Sequence, residues 1–136
     1  MSTRMWGIVC AGMIVLCSAA AQPDLDGSWV GVWQGELDGQ PSVILTLAED
    51  TGTLEGTLVL NGISRDGGQP HIAVREAHVL VRPRVDGHTL SFQLKRLTPS
   101  SPMMNVTVIV ATRSKATIHC LNCGDDAPVV EITKED

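Results

Sequence analysis

Apolar residues in this chain recur at every second position over short runs, and the runs are separated by Gly, Pro, Asp and Asn. A segment with that alternation buries its oily side chains together only when extended, because successive residues of a strand point to opposite faces. From Gly27 to Asp38 the pattern places Trp29, Gly31, Trp33, Gly35 and Leu37 on one face and Ser28, Gln34 and Glu36 on the other, with Asp38-Gly39 as the closing turn. Val43, Leu45 and Leu47 then alternate with Ser42 and Thr46, and Leu54, Gly56, Leu58 and Leu60 with Glu55 and Thr57. Asp50-Thr51-Gly52 lies between them, and its glycine supplies the positive φ of a tight hairpin turn.

The remaining segments repeat this grammar. Asn61 to Pro70 is the longest polar gap and reads as an exposed loop. A second hairpin is expected, with His71 to Arg82 as one strand, Pro83 to Gly87 as its connection and His88 to Leu97 as the other, Leu90, Phe92 and Leu94 facing inward. Met103 to Thr112 is apolar on both faces at Val106, Val108, Ile109 and Val110, which suits a central or heavily covered strand. Lys115 to Cys120 and Pro128 to Lys134 complete eight candidate strands. No segment after the first 21 residues shows apolar residues at i, i+3, i+4 and i+7, so helix is minor. The expected fold is all-β, an eight-stranded antiparallel meander that closes into a barrel or folds into a two-sheet sandwich.

Residues 1–21 follow different rules. Arg4, the apolar run Trp6 to Leu16 and the small residues Ser18-Ala19-Ala20-Ala21 have the order of a secretory signal peptide, helical and removed after Ala21. The apolar run is shorter than the roughly 20 residues a spanning helix needs, and no later run matches it. Leu16 before Cys17 departs from the small residue expected ahead of a lipidated cysteine. Residues 22–136 then form a single domain, secreted or periplasmic, with no membrane span. They hold nine Lys and Arg against fifteen Asp and Glu, a formal charge of −6 that argues against a nucleic-acid partner.

Gly27-Ser28-Trp29, followed by the hairpin segment Thr51-Gly52-Thr53-Leu54-Glu55-Gly56-Thr57-Leu58, resembles the start of the calycins, the lipocalin and avidin group. The resemblance implies an eight-stranded barrel in which a Gly-x-Trp plugs one end. The same segments are similar to small secreted bacterial domains of unassigned function that share a Trp-x-Gly start and Gly-Thr-Leu hairpins. Avidin-type biotin binding departs from this sequence, which has no Tyr, one Phe and no Trp after Trp33.

Candidate chemistry is sparse. Cys120-Leu121-Asn122-Cys123 admits three readings: a disulfide stapling a turn, a redox pair, or half of a metal site with His119. A redox pair needs the first thiol at a helix N-terminus, which the flanking residues do not supply, and zinc would need ligands recruited from His71, His78 or His88. The four histidines otherwise read as surface or strand-end residues. Gly-x-Ser-x-Gly, phosphate-loop and His-Glu-x-x-His signatures are missing, so catalysis, cofactors and a resident metal are not expected. Arg75, Arg82, Arg84, Lys95 and Arg96 gather positive charge on the second hairpin and offer an anion- or partner-binding face, or a charged edge that discourages pairing. Met103-Met104 reads as core filling. Trp29 and Trp33 fall on one strand face about 13 Å apart, as core anchors or, with Phe92, as the wall of a ligand cavity. The functional expectation is a non-catalytic binding or interaction module for a small apolar ligand or a protein partner; the rival is a thiol-redox or metal-binding protein centred on Cys120 and Cys123.

Overall fold

The computed structural model describes residues 29–98 and 100–135; the expected signal peptide, residues 1–21, lies outside them. The described chain is all-β, with nine strands: β1 (Gly31–Leu37), β2 (Gln40–Asp50), β3 (Thr53–Ser64), β4 (His71–Val79), β5 (Val81–Asp86), β6 (Thr89–Leu94), β7 (Met104–Thr112), β8 (Lys115–Cys120) and β9 (Val129–Lys134). They form one antiparallel sheet in the order β4-β3-β2-β1-β9-β8-β7-β6-β5, curled into a half-barrel. A single curled sheet replaces the two-sheet alternative.

Every ladder joins sequence neighbours except one, the pairing of β1 with β9 that brings the two ends of the meander together. The two outer strands are therefore β4 and β5, separated only by Leu80. The expected hairpin between His71–Arg82 and His88–Leu97 is replaced at this point. β4 pairs with β3, from Thr57↔Val79 to Ser64↔His71. Pro83 to Asp86, expected as connection, is strand β5 and pairs with β6 through Arg84↔Ser91 and Val85↔Leu90. The expected strand breaks at Leu80 and becomes two, and just inside β5 the register shifts between Val81 and Arg84, where Arg82 takes φ 50°. Proline fits because β5 is an edge, where a missing N–H costs no ladder bond.

The first hairpin forms as its alternation requires, with Val43↔Leu60, Leu45↔Leu58 and Leu47↔Gly56 in register. Thr51 and Gly52 both have positive φ, 51° and 84°, the twist of a two-residue hairpin turn. β3 runs on to Ser64, so the polar gap shrinks to 65–70, and Asn61, expected in the loop, is buried. Its amide donates to the Pro41 carbonyl at 2.8 Å and its Oδ1 accepts from Arg75 Nε at 3.2 Å, which satisfies the group where β3 would otherwise strand it. At the loop's start Arg65 pairs with Asp38, whose hydrogen bond and charge raise the guanidinium above its ordinary pKa.

Inward side chains of the strands make one core. Trp29, Trp33, Leu45, Leu58, Leu90, Leu94, Val108 and Ile132 are almost entirely enclosed, and Phe92 joins them. Burying each tryptophan contributes roughly 3 kcal/mol or more. Their rings lie 6.3 Å apart rather than a full extended span, because the chain bends at Trp29 and β1 begins only at Gly31. Trp33 Nε1 donates to the Trp29 carbonyl at 3.0 Å, so the indole leaves no polar group unmet. β7 is paired on both sides, by β6 and β8, yet only one face is covered: Val106 and Val108 are buried while Ile109 is half exposed. His78 is also buried, 3.3 Å from Glu76, unlike the surface position expected for the histidines.

Candidate functional site

Inside the curl, one end of the sheet is not filled. A cavity of about 1050 Å³ opens there, with Val43, Leu58, Leu94, Val106 and Ile118 as its buried floor. Leu60, Met104 and Val130 extend the apolar wall at half-buried positions. These residues come from β2, β3, β6, β7, β8 and β9, and each occupies an inward position of its strand, so the curl alone makes them converge.

The opening coincides with the meeting of β1 and β9. Their ladder holds only two pairs, Trp33↔Lys134 and Gln34↔Thr133. Beyond it, Gly35, Glu36 and Leu37 of β1 and Val129, Val130 and Glu131 of β9 border the cavity without pairing across it. A β-carbon on Gly35 would lie 2.8 Å from the Glu131 carbonyl oxygen and 2.9 Å from a Val130 methyl. The missing side chain is what lets β9 cross so close to β1. A bulge in β1 between Gly35 and Glu36 re-aims the strand at the same place.

The rim is mixed. Leu37 and Val129 are exposed apolar residues, 54% and 60% accessible. Glu36, Glu131 and Glu135 are exposed carboxylates, and Lys134 sits with its ammonium 5.7 Å from the Trp33 ring centre. Ser42, also in the lining, donates to the Gly35 carbonyl at 3.4 Å.

Cys120 and Cys123 lie at disulfide-bonding distance with Cα atoms 5.6 Å apart, and both border the cavity. The turn between them is held independently by Asn122. Its Oδ1 accepts from the Asn105 N–H at 2.8 Å and its Nδ2 donates to the Met103 carbonyl at 2.9 Å, so one side-chain amide continues the ladder at the start of β7. No helix begins after Cys123; the chain turns into β9. Among the described residues no group of three or more His, Cys, Asp and Glu is placed to hold a metal ion, and His119 Nδ1 lies 3.4 Å from the Pro128 carbonyl.

The aromatic residues expected to line a cavity lie elsewhere. Trp33 and Phe92 are enclosed in the core, and Trp29 borders a smaller cleft of about 260 Å³ together with His88, Val110 and Arg113. Of the five basic residues, Arg82 and Arg84 lie on β5 and Lys95 and Arg96 directly follow β6, its hairpin partner, while Arg75 lies apart on β4. Arg75 of β4 is hydrogen-bonded to Asn61, Arg82 donates to Gln93 Oε1 at 2.6 Å, Arg84 is exposed on β5, and Arg96 donates to the carbonyls of Pro102 and Asn122.

Sequence reading identified the floor residues as inward but not as the wall of a space. It assigned no role to Glu36, Glu131, Glu135 or Lys134. A glycine inside a strand, Gly35, followed by an apolar residue left exposed, Leu37, was the available signal for a close crossing beside an opening. Comparison with protein-family models, with curated proteins and with solved structures finds no match for this chain.

Proposed function

We propose that this protein is an exported binding module, non-catalytic and calycin-like in architecture, which holds a small apolar ligand in the cavity between β1, β3, β7 and β9. The single observation behind this reading is the cavity of about 1050 Å³ with a buried floor of Val43, Leu58, Leu94, Val106 and Ile118. Ligand sites are typically concave, apolar and on the order of 300–1,000 Å³, with a few polar groups at defined places. Floor groups that are all hydrocarbon offer dispersion and desolvation but no nucleophile, acid or base, which supports binding over reaction. The Gly27-Ser28-Trp29 opening and the meander order support the calycin reading, and the leader-like residues 1–21 support export to the periplasm or beyond. No helix among the described residues is long and apolar enough to cross a membrane.

Titration with the neutral fluorophore N-phenyl-1-naphthylamine tests the proposal. A saturable one-to-one enhancement is expected, weakened about tenfold or more by Leu60→Trp, which fills the space from a half-buried wall position. A response that rises without saturation, or saturates equally in Leu60→Trp, contradicts it.

A further inference from the structure

We infer that β4 is an interaction edge and that its partner is β4 of a second copy of this chain, paired antiparallel about a two-fold axis at Ala77. Among the described residues nothing pairs with β4 on the side away from β3. The β5–β6 ladder begins only at Val81↔Gln93. β6 ends at Leu94, and the Arg96 side chain beyond it is drawn to the carbonyls of Pro102 and Asn122, toward the start of β7. The backbone groups left open on β4 can be named. Leu80 donates its N–H to the Gly56 carbonyl at 3.0 Å, which continues the register His78↔Leu58 and Glu76↔Leu60. Backbone direction alternates along an antiparallel strand, so Val74, Glu76 and His78 turn their N–H and C=O to β3, while Arg75, Ala77 and Val79 turn theirs to the open side. Val81, next in that second set, is the residue that meets β6.

The two free edges of the sheet differ in how they are guarded. β5 carries Pro83, a register shift and the positive φ of Arg82, all features that blunt an edge. From Val74 to Val79, β4 has no proline, no register shift and no positive φ, and it exposes Val74 and Val79, 54% and 70% accessible. An unguarded row of N–H and C=O groups is met by another extended backbone. A second β4 fits it in one register. With Ala77 opposite Ala77 of the partner copy, Arg75 falls opposite Val79 and Val79 opposite Arg75, so every open N–H of these residues meets an open carbonyl. The same register sets Glu76 across from His78 of the partner copy and His78 across from its Glu76, complementary groups on a shared face. Moving the axis to Arg75 would oppose two guanidinium groups. Moving it to Val79 would drive the partner strand into the Val81↔Gln93 pairing.

Sedimentation equilibrium of the mature chain over about 10–300 μM, read together with amide hydrogen exchange by NMR, tests the pairing. A monomer–dimer equilibrium is expected. The amides of Arg75, Ala77 and Val79 should exchange about tenfold or more slowly at the high end of the range than at the low end, while those of Glu76 and His78, already turned to β3, change far less. Val79→Lys places a lysine against Arg75 of the partner copy twice over and should weaken dimerisation about tenfold or more. Ala77→Pro removes the N–H at the axis without removing a bond to β3 and should abolish dimerisation. Both variants should keep the parent's circular dichroism spectrum, and Arg84→Ala on the other edge should dimerise as the parent does. A dimer that Val79→Lys leaves unweakened overturns the inference. A chain that stays monomeric throughout, with fast exchange at Ala77 and Val79, overturns it too and leaves the edge to a strand of a different protein.

Discussion

Gly35 sets how closely β9 crosses β1 beside the cavity. A methyl group there would press on the Glu131 carbonyl, a Val130 methyl and, at 3.0 Å, an Ile132 methyl, two of them on side chains and one on backbone that cannot rotate away. Overpacking of this kind typically costs about 1–3 kcal/mol. Gly35→Ala is therefore expected to lower the urea midpoint by a corresponding amount with an unchanged slope, because β9 must back away from β1. An unaltered midpoint would mean that the two strands do not cross where described. Asn122 is the second residue with an outsized role. Its amide bonds to Met103 and Asn105 hold the Cys120–Cys123 turn against β7 whether or not the sulfurs are joined.

Among the elements, the join between β4 and β5 shows how far the sequence can be read. Alternation alone identified the β2–β3 hairpin, the inward set Leu90, Phe92 and Leu94, and the paired interior position of β7, because a period of two reports which side chains share a face. It could not report that β4 pairs backward with β3 along its whole length, since a strand that changes partner keeps the same alternation. Pro83 looked like a turn residue, yet at an edge it is compatible with pairing. The cavity was hidden for a related reason: inward residues that fill a core and inward residues that border a space have the same pattern. Arg82 sits in the register shift inside β5, with φ 50° in the left-handed region that costs a non-glycine residue on the order of 1 kcal/mol. Arg82→Gly relieves that strain and loses one exposed hydrogen bond to Gln93, so thermal unfolding should find it close to the parent. Arg82→Val, β-branched in the same conformation, should be less stable than Arg82→Gly by about 1–2 kcal/mol. Equal stability of the two variants would mean that residue 82 does not hold the left-handed conformation.

At the scale of the whole molecule, the meander returns its last strand to its first, so the sheet's free edges fall at β4 and β5, while the cavity opens beside the short β1–β9 contact. The tryptophans and the floor divide the interior between them. Trp29 and Trp33 fill one region and aliphatic side chains border an unfilled one, which is why the aromatic residues contribute stability and the leucines and valines contribute the ligand surface. Methyl NMR during titration with N-phenyl-1-naphthylamine tests this division most directly. The account predicts saturable shifts at Leu58, Leu60, Leu94, Val106 and Ile118, with Leu54, Leu80 and Val110 unmoved. Shifts centred on Val110 and the Trp29 cleft, or no saturable methyl shifts, would contradict it.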